Sequence, residues 1–446
     1  MNKPLILKIV ALIAIVMALM LPLAAIESAI TERAQYRHEA VASVQRSFVG
    51  PQTLVAPVWV WPYREEWETQ RTSDDGRRVT VTKHSENRRW LVYFDDSSVA
   101  GDVQVLNDRY RGLHRVRTYE SKLRIESRIR APDPSRVKPE KEGGRLIWDR
   151  PAVVLGIADL RGVRGTPVFT LDGSALEVAA GTFDAIPGSG IHAAVAVSSE
   201  PKTLTLNIEL HLAGMESLAI VPTARVTDAA LSANWPHAKY AGAFLPSRKA
   251  TDRQGSSATW SIPALASGVQ AVLTTEAARA APNSFSVEFI EPINVYRLAD
   301  RATKYGALFI TLVIAAVFLL DVIQRLDIHA MQYGLVGLAL AIFFLLLLAL
   351  SEHVDFMLAY VAAASACTLL VASYMRHALQ STRRSATLAL ALTAVYGAIY
   401  AILIAEELAL LMGALLLFAV LKTIMIATRK LNWSKLAIRA PATGNS

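Results

Sequence analysis

The feature that most constrains this chain of 446 residues is the uneven placement of its apolar residues. One apolar run, Leu5–Ile26, precedes a long stretch of mixed polar sequence, and Leu, Ala, Ile and Val dominate again from Gly306 onward. Backbone polar groups cannot stay unpaired in hydrocarbon, so apolar runs of about 20 residues are expected to cross a bilayer as helices. The pattern predicts a membrane protein with a large polar domain inserted between membrane-spanning segments.

The first apolar run contains one charged residue, Lys8, and one proline, Pro22. A cleaved signal peptide is the alternative interpretation, because small residues such as Ala24 and Ala25 lie near its end. The run is longer than the ~7–15-residue core of a signal peptide, however, and apolar residues continue at three- and four-residue steps through Glu32–Phe48. We therefore expect an uncleaved anchor whose helix continues beyond the membrane.

Five further apolar runs follow the polar domain. They are Gly306–Ile323, Tyr333–Leu350, Phe356–Tyr374, Thr387–Ile404 and Leu408–Ile426. Each is close to the length that a helix needs to cross the hydrocarbon layer. Together with the first run they predict about six transmembrane helices.

The connections between these runs alternate in charge. Arg and Lys occur in Gln324–Gln332, in Met375–Ala386 and after Ala427, whereas Ser351–Asp355 and Ala405–Glu407 have neither. Because cytoplasmic loops carry the excess of Lys and Arg, the alternation predicts that both termini are cytoplasmic. The large polar domain is then expected on the opposite side of the membrane.

Strand signals dominate the polar domain. Apolar and polar residues alternate over Lys202–Leu212, and shorter alternating stretches include Val79–Thr82, Leu91–Phe94 and Val287–Phe289. Short strands separated by turns favour an antiparallel sandwich or a barrel-like domain. The pattern leaves open whether this region is one β-domain or two, with Pro132–Gly144 as the candidate break.

The predicted architecture is therefore a membrane α-helical bundle of about six transmembrane helices, with a large β-rich extracytoplasmic domain inserted after the first helix. In residue numbers it consists of an N-terminal anchor (1–26), the β-rich domain (27–304), a five-helix bundle (305–427) and a cytoplasmic tail (428–446). Membrane lipids are its expected surroundings.

Composition and motifs argue against several function classes. The net charge of +8 does not indicate nucleic-acid binding, since much of the basic excess lies at the ends of the apolar runs. A single cysteine, Cys367, excludes a cysteine-based zinc site and a paired redox motif. The sequence contains no Walker loop, H-E-x-x-H pair or G-x-S-x-G elbow. We therefore predict no catalytic activity, cofactor or metal site.

Two acidic turns on the predicted outer side are candidate functional sites. Glu352, His353 and Asp355 lie where one span ends, and Glu406 and Glu407 lie at the next outer turn. The simpler interpretation is that they are solvated helix ends. The alternative is a polar docking site, or a pH response based on histidine.

Asp321 is an acidic residue inside the second apolar run, and intramembrane acids often mark functional sites. It supports an alternative function, that of a transporter or lipid-handling protein that uses the helical bundle. The Pro-broken helices typical of transport sites are missing, because no proline occurs between Pro292 and Pro441.

Five residues of the polar domain are candidates for its surface. Trp59 and Trp61 alternate along one strand and point to one face. Asn234, Trp235 and His237 surround a proline in a loop or strand edge, where they could close a binding surface or Trp235 could plug the core. Most tryptophans of this domain are expected in the core, and a glycan-facing or membrane-facing surface is the alternative.

Several segments together resemble a known family, the CreD family of bacterial inner-membrane proteins, also called cell envelope integrity proteins. The resemblance extends in order over nearly the whole chain and rests on Glu39-Ala40, Gly50–Leu54, Ser232–His237, Phe244-Leu245-Pro246, Val287–Tyr296, Arg301–Gly306, His329–Gly337, Leu350–His353 and Thr428–Trp433.

The resemblance implies an inner-membrane protein of a two-layered envelope, with its β-rich domain in the periplasm. It further implies an association with a two-component regulon, envelope maintenance and responses to cell-wall-active agents. No enzyme reaction or cofactor is implied. The periplasmic domain is then expected to bind or shield an envelope component whose identity the sequence does not give.

Overall fold

The computed structural model describes residues 3–72, 79–111, 114–196, 202–274, 282–289, 295–324, 326, 328–405 and 408–429. The chain divides into two compact units. One consists of Met1–His38 and Ile293–Ser446, here called the helical unit, and the other consists of Glu39–Pro292, here called the β-unit.

The helices of the described residues confirm the membrane part of the predicted fold. They are α1 (Lys3–Ser47), α2 (Ala264–Ser267), α3 (Val269–Thr274), α4 (Val295–Lys304), α5 (Gly306–Gln324), α6 (Ala330–Ser351), α7 (Phe356–Ala378), α8 (Thr382–Ile404) and α9 (Ala409–Thr428). Five of them, α1 and α5 to α8, are long and apolar enough to cross a membrane. Within α9 the described apolar stretch, Leu411–Thr423, is shorter. The predicted continuation of the first helix through Glu32–Phe48 is also confirmed, since α1 ends at Ser47.

Helix α1 packs into the helical unit along one face. Its buried residues are Leu12, Leu19, Leu23, Ile26 and Ile30. Glycines on two other helices leave room for this face: a Cβ on Gly337 would lie 2.2 Å from Leu19 Cδ1, and one on Gly306 would lie 2.8 Å from Leu23 Cδ1. Small residues at helix contacts allow close approach in membranes, where van der Waals packing replaces the hydrophobic drive. These glycines of α5 and α6 therefore allow α1 to pack closely against both helices. This contact is here called the seam of α1.

Helix α6 has the largest buried share of the five long apolar helices. An aromatic cluster surrounds its middle, with Phe343 4.6 Å from Tyr396 and 5.3 Å from Tyr360 between ring centres. The Tyr360 hydroxyl donates to the Tyr396 carbonyl oxygen at 2.8 Å, which joins α7 to α8. The centre of the helical unit is thus packed by rings and contains few polar groups.

The β-unit contains two sheets in its described residues. Its strands are β1 (Gln52–Thr72), β2 (Val79–Tyr93), β3 (Asp96–Arg111), β4 (His114–Arg130), β5 (Arg145–Trp148), β6 (Ala152–Ile157), β7 (Val163–Leu171), β8 (Ser174–Leu176), β9 (Val178–Ala180), β10 (Gly190–Ala194), β11 (Thr203–Met215), β12 (Ser217–Val221), β13 (Val226–Ala233), β14 (Ala238–Gly242), β15 (Arg248–Thr251), β16 (Ser256–Pro263) and β17 (Phe285–Phe289).

One sheet has the order β14-β17-β12-β1-β6-β10-β9, with β2 and β5 also paired to β1. The other has the order β15-β16-β13-β3-β4-β11-β7-β8. Most neighbouring strands are antiparallel, but β1 runs parallel to β12 and β3 runs parallel to β13. One apolar core contains residues of both sheets, as expected for two stacked sheets.

Alternation in the sequence sets which strand residues enter this core. Over β11, Leu204, Leu206, Ile208 and Leu210 are buried while the residues between them are exposed or half-buried, so the predicted strand is confirmed. In contrast, β6 is buried along its whole length, because both of its faces are covered. Its second face belongs to a smaller cluster that also contains Val269 and Leu273 of α3.

The structure answers a question that the sequence left open. The β-region is one compact unit, and the candidate break at Pro132–Gly144 is a short helical turn and loop before β5. The compact units change near His38 and Pro292. The predicted boundaries at 26 and 304 mark expected membrane exits instead, and they stay predictions.

Candidate functional site

The first polar cluster, here called the Asp321 cluster, joins three helices of the helical unit. The Lys8 ammonium of α1 forms an ion pair with the Asp321 carboxylate of α5. The Tyr333 hydroxyl of α6 donates to Asp321 Oδ2 at 2.7 Å, and the backbone N–H of Ile328 donates to Oδ1 at 3.3 Å. The side chain of Asp321 is only 3% exposed. A buried carboxylate is tolerable here because a cation and two hydrogen-bond donors compensate it.

The second polar cluster, here called the Glu352 cluster, lies at the other end of α6. The Tyr296 hydroxyl of α4 donates to Glu352 Oε1 at 3.2 Å. The Arg33 guanidinium of α1 lies 4.0 Å from Glu352 Oε2. The Arg33 side chain is 50% exposed and that of Glu352 is 11% exposed. This ion pair is longer and more exposed to solvent than the pair between Lys8 and Asp321.

Burial and the neighbouring Glu352 carboxylate raise the pKa of Tyr296 to about 12, while Arg33 and Arg37 act in the opposite direction. The phenol therefore stays protonated over the physiological range and serves as a donor to Glu352. The cluster as a whole is a hydrogen-bonded and charged contact between α1, α4 and the end of α6.

The two clusters are spaced as membrane interfaces would be. Tyr333 and Glu352 lie 19 positions apart on α6 and its cap, or roughly 28 Å along a helix. Lys8 and Arg33 lie 25 positions apart on α1, or roughly 37 Å. These lengths bracket the ~30 Å hydrocarbon layer and approach the ~40 Å that includes headgroups.

Among the described residues of the predicted acidic turns, His353 and Asp355 do not join this cluster. His353 is exposed, and the Asp355 side chain caps α7 by accepting the Met357 N–H at 3.1 Å. Glu406 and Glu407 lie outside the described residues. Within the described turn, Glu352 thus contacts other helices, whereas His353 and Asp355 match solvated helix ends.

Trp59 and Trp61 share one face of β1, as the alternation predicts, but that face points inward. Trp59 is fully buried in the core between the sheets, and Trp61 is 6% exposed. The Trp61 indole N–H donates to the Asp149 carbonyl oxygen at 2.8 Å. The candidate surface role of these two tryptophans is therefore corrected: stacking of the second sheet decides which face of β1 is covered, and strand alternation alone does not give that.

Beyond Trp61, the same face of β1 continues into a cluster of rings, here called the tryptophan face. Trp61 stacks with Trp90 of β2 at 6.3 Å between ring centres, and both meet Trp148 of β5 edge-on at 5.5 and 6.0 Å. Tyr63 lies 4.8 Å from Trp148. Trp90 and Trp148 are only half-buried. Strand register explains the cluster, since Trp61 pairs with Trp90 and Tyr63 pairs with Trp148.

A charged group lies beside the tryptophan face, two residues from Trp90 along β2. Arg88 of β2 contacts Glu86 at 2.9 Å and the buried Glu65 at 3.3 Å, and it also pairs with Glu140. Hydrogen bonds to Glu140 and Glu86 raise the pKa of Arg88, and Arg88 in turn lowers the pKa of Glu140. Three carboxylates therefore surround one guanidinium beside the rings.

The stretch around Pro236 divides its residues between structure and surface. Asn234 accepts the Val105 N–H through Oδ1 at 2.6 Å and so fastens the end of β13 to β3. Trp235 is half-buried, with the Arg117 guanidinium 3.9 Å from its ring centre and His237 at 5.6 Å. The three predicted residues are thus neighbours, and whether they bind a partner stays a prediction.

Sequence reasoning identified Asp321 and Glu352 but missed their partners. Lys8 is the one charge of the first apolar run and Asp321 is that of the second, and both lie near the predicted cytoplasmic ends. Opposite lone charges at one membrane depth were the available signal. Trp90, Trp148 and Arg88 were missed because strand register across 30 to 90 residues is not visible in local patterns. No group of three potential metal ligands occurs among the residues that the structure describes.

These observations define a class: a polytopic helical membrane protein that carries a two-sheet β-unit between its first membrane helix and the remaining ones. Comparison with known proteins gives the family. The family model for "Inner membrane protein CreD" matches residues 4–434, and the chain belongs to this family. The inner membrane protein CreD of Escherichia coli (strain K12) is 30% identical over 438 residues, which cover 97% of this chain and 94% of that protein. The chain is thus a bacterial inner-membrane protein.

Similarity to solved structures is weak. A putative nutrient binding protein from Legionella pneumophila has a TM-score of 0.27 and 8% identity, with 48% of this chain and 79% of that chain covered. An M1 zinc metallopeptidase from Deinococcus radiodurans has a TM-score of 0.22 and 8% identity, with 44% and 42% covered. TM-scores this low do not define a shared fold.

Proposed function

We propose that this inner-membrane protein maintains the cell envelope, and that its β-unit lies in the periplasm and binds or shields an envelope component. The observation that carries the proposal is the charge pattern of the loops around the membrane helices. Connections rich in Arg and Lys alternate with connections that have neither, and this alternation favours cytoplasmic positions for both termini. The β-unit is inserted after a single crossing, so it faces the other side.

The β-unit holds together without a disulfide in either compartment. The single cysteine of the chain, Cys367, lies in α7, so no disulfide can cross-link the unit. The two stacked sheets instead supply an apolar core large enough to hold the unit together. Half-buried tryptophans beside that core provide a surface on which an envelope component can dock.

The proposal involves no catalysis. Nucleophilic and acid–base catalysis require a nucleophile, a base and an orienting group within hydrogen-bond reach. In the Asp321 and Glu352 clusters each carboxylate is paired with a cation and accepts a tyrosine hydroxyl, which suits a structural contact.

Transport through the bundle, the alternative function, is disfavoured by the surroundings of Asp321. A carboxylate that carries a proton or an ion needs an accessible oxygen. Asp321 is 3% exposed and already accepts hydrogen bonds from Tyr333 and Ile328 while paired to Lys8. Its geometry is that of a fixed contact between helices.

The placement is tested by cysteine labelling in a Cys367→Ser background. Ser257→Cys is on the exposed side of β16, and Thr382→Cys is exposed at the start of α8. A membrane-impermeant maleimide applied to spheroplasts should label the first variant and reach the second only after lysis. The opposite order of labelling would overturn the periplasmic placement.

The envelope role is tested by growth of a deletion strain in detergent and cell-wall antibiotics, with complementation at matched expression. Wild type is expected to restore growth, and failure to do so would overturn the role. A Glu352→Ala/His353→Ala double variant then asks whether the outer turn takes part, with Asp355→Ala as the matched control for loss of a nearby carboxylate.

A further inference from the structure

We infer that the tryptophan face of the β-unit, with its charged border, is a binding site for an uncharged saccharide chain. The inference rests on the proposed function, because it names the class of envelope component that the β-unit would bind. Its accessible rings are Trp90 and Trp148, which pack on the buried Trp61 and Tyr63, and its border consists of Glu86, Arg88 and Glu140.

The rings supply the stacking half of such a site. Trp90 and Trp148 are half-buried, whereas the core tryptophans Trp59 and Trp260 are 0% and 2% exposed. Their indoles are held nearly perpendicular, at 66°, by contact with each other and with Trp61. A π-face is electronegative, and one face of a pyranose ring presents C–H groups with partial positive charge. Rigid, accessible indoles therefore offer flat surfaces on which sugar rings stack.

The charged border supplies the hydrogen-bonding half. The side chains of Glu86 and Glu140 are 49% and 65% exposed, and Arg88 is 18% exposed between them. Sugar hydroxyls both donate and accept, so they match a border in which carboxylates accept and a guanidinium donates. Arg88 holds the two glutamates in place, because it contacts both and also the buried Glu65.

The charges also select among ligand classes. Glu65, Glu86 and Glu140 outnumber the cations Arg88 and Lys141, and this excess of negative charge disfavours phosphates and other anions. A lipid surface would take the exposed carboxylates of Glu86 and Glu140 out of water, at high cost. An uncharged chain rich in hydroxyls avoids both penalties, and that is the reason to prefer a saccharide.

A second ring cluster lies further along the same side of β1, beyond the buried Glu65. There Trp67 stacks on His84 of β2 at 5.3 Å, with the Lys141 ammonium 5.8 Å from its ring centre. From Trp61 to Trp67 the strand advances about 20 Å. Two ring clusters at this spacing suit an extended chain better than a single compact molecule.

The test uses the full-length protein in a zwitterionic detergent without a sugar headgroup, with chitotetraose as the probe and tryptophan fluorescence as the readout. Trp90→Ala and Trp148→Ala should each weaken binding at least tenfold. Phe183→Ala removes an exposed ring elsewhere on the β-unit and should leave the affinity within twofold of wild type.

A second pair of variants excludes misfolding as the cause of any loss. Glu86→Gln and Glu140→Gln keep the shape of exposed side chains, and each should weaken chitotetraose binding about threefold or more. Unchanged affinity in all four variants, or no binding by wild type, would overturn the saccharide site. If wild type still complements the deletion strain in that case, the envelope role stands and only this inference fails.

The source of the saccharide is separated by two further probes. Co-sedimentation with purified cell-wall sacculi that is lost in Trp90→Ala would identify a cell-wall glycan strand. Flotation with vesicles that contain an uncharged glycolipid, again lost in Trp90→Ala, would identify a lipid-linked sugar. Either result supports the site. Capture of only a protein through the same rings would contradict it.

Discussion

The Asp321 and Glu352 clusters contain the same chemical groups in different surroundings. Each joins a cation of α1, a carboxylate and a tyrosine from another helix. The carboxylate of Asp321 is 3% exposed beside a close ammonium, whereas Arg33 is half exposed and 4.0 Å from Glu352. Water and ions screen the second pair far more than the first. We therefore expect burial, more than the identity of the groups, to set how much free energy each cluster contributes.

The largest expected effect on the free energy of unfolding comes from removing the carboxylate of the Asp321 cluster. Asp321→Ala leaves the Lys8 ammonium and the Tyr333 hydroxyl without their acceptor, so we expect a loss of roughly 3 kcal/mol in the free energy of unfolding. Unfolding of the purified protein by SDS titration measures it.

The matched control is the double variant Lys8→Met/Asp321→Leu, which replaces the pair with apolar groups of similar size. It should recover most of the stability, since the cost lies in the uncompensated charge. If Asp321→Ala were as stable as wild type, the Asp321 cluster would not contribute the stability that its burial predicts.

The next effect concerns the packing of α1 between the two clusters. Gly337→Leu forces a side chain into the space of Leu19, which a Cβ alone would approach to 2.2 Å. We expect a loss of about 1–3 kcal/mol from overpacking. Gly397→Ala in α8 is the control, because its Cβ would meet no atom within 4 Å. It should be neutral or slightly stabilising. Equal effects of the two variants would show that the seam does not hold α1.

A smaller effect on the free energy of unfolding is expected at the Glu352 cluster, which is less buried. Glu352→Ala removes the acceptor of Tyr296 and the distant partner of Arg33, which should cost about 1–2 kcal/mol. His353→Ala is exposed and should change the free energy of unfolding by less than about 0.5 kcal/mol. A loss at Glu352 that equals or exceeds the loss at Asp321 would reverse the ranking of the clusters.

The smallest effect is a titration. The pKa of Tyr296 is about 12 in the folded protein, above its ordinary value of 10.0. Because the folded pKa is raised, its stabilising contribution is complete below pH 10 and is lost as the pH rises through about 12. The difference in tyrosinate absorbance between wild type and Tyr296→Phe isolates this phenol. Glu352→Ala should shift its midpoint to lower pH, and an unchanged midpoint would show that the carboxylate does not act on it.

Local pattern predicted the apolar helices and the alternating strand β11 well, whereas Val79–Thr82 and Leu91–Phe94, expected as separate short strands, lie in or at the end of the one long strand β2. The apolar runs became α1 and α5 to α9, and the alternation of leucines became β11 with its buried and exposed faces. These features depend on neighbours three, four or two positions away, which sequence periodicity records directly. Sequence periodicity carries no information about contacts between segments that are far apart in the chain.

Partners of the candidate residues illustrate this limit. Lys8 and Asp321 are 313 positions apart, and their contact depends on where α1 packs in the bundle. Trp61 was expected at a surface because alternation shows which residues share a face of a strand. It does not show whether other parts of the chain cover that face. The ring cluster around Trp61 required the registers of β2 and β5 against β1, which no local signal specifies.

The most direct test of this account is a pair of double-mutant cycles on the full-length protein, one with Lys8→Met and Asp321→Leu and one with Arg33→Met and Glu352→Gln. Each cycle isolates the coupling free energy between a cation of α1 and its carboxylate. We expect a coupling of about 2 kcal/mol or more for Lys8 with Asp321, and less than about 1 kcal/mol for Arg33 with Glu352. Equal couplings, or a stronger one at Glu352, would contradict the claim that the buried pair stabilises the contact of α1 more than the exposed pair does.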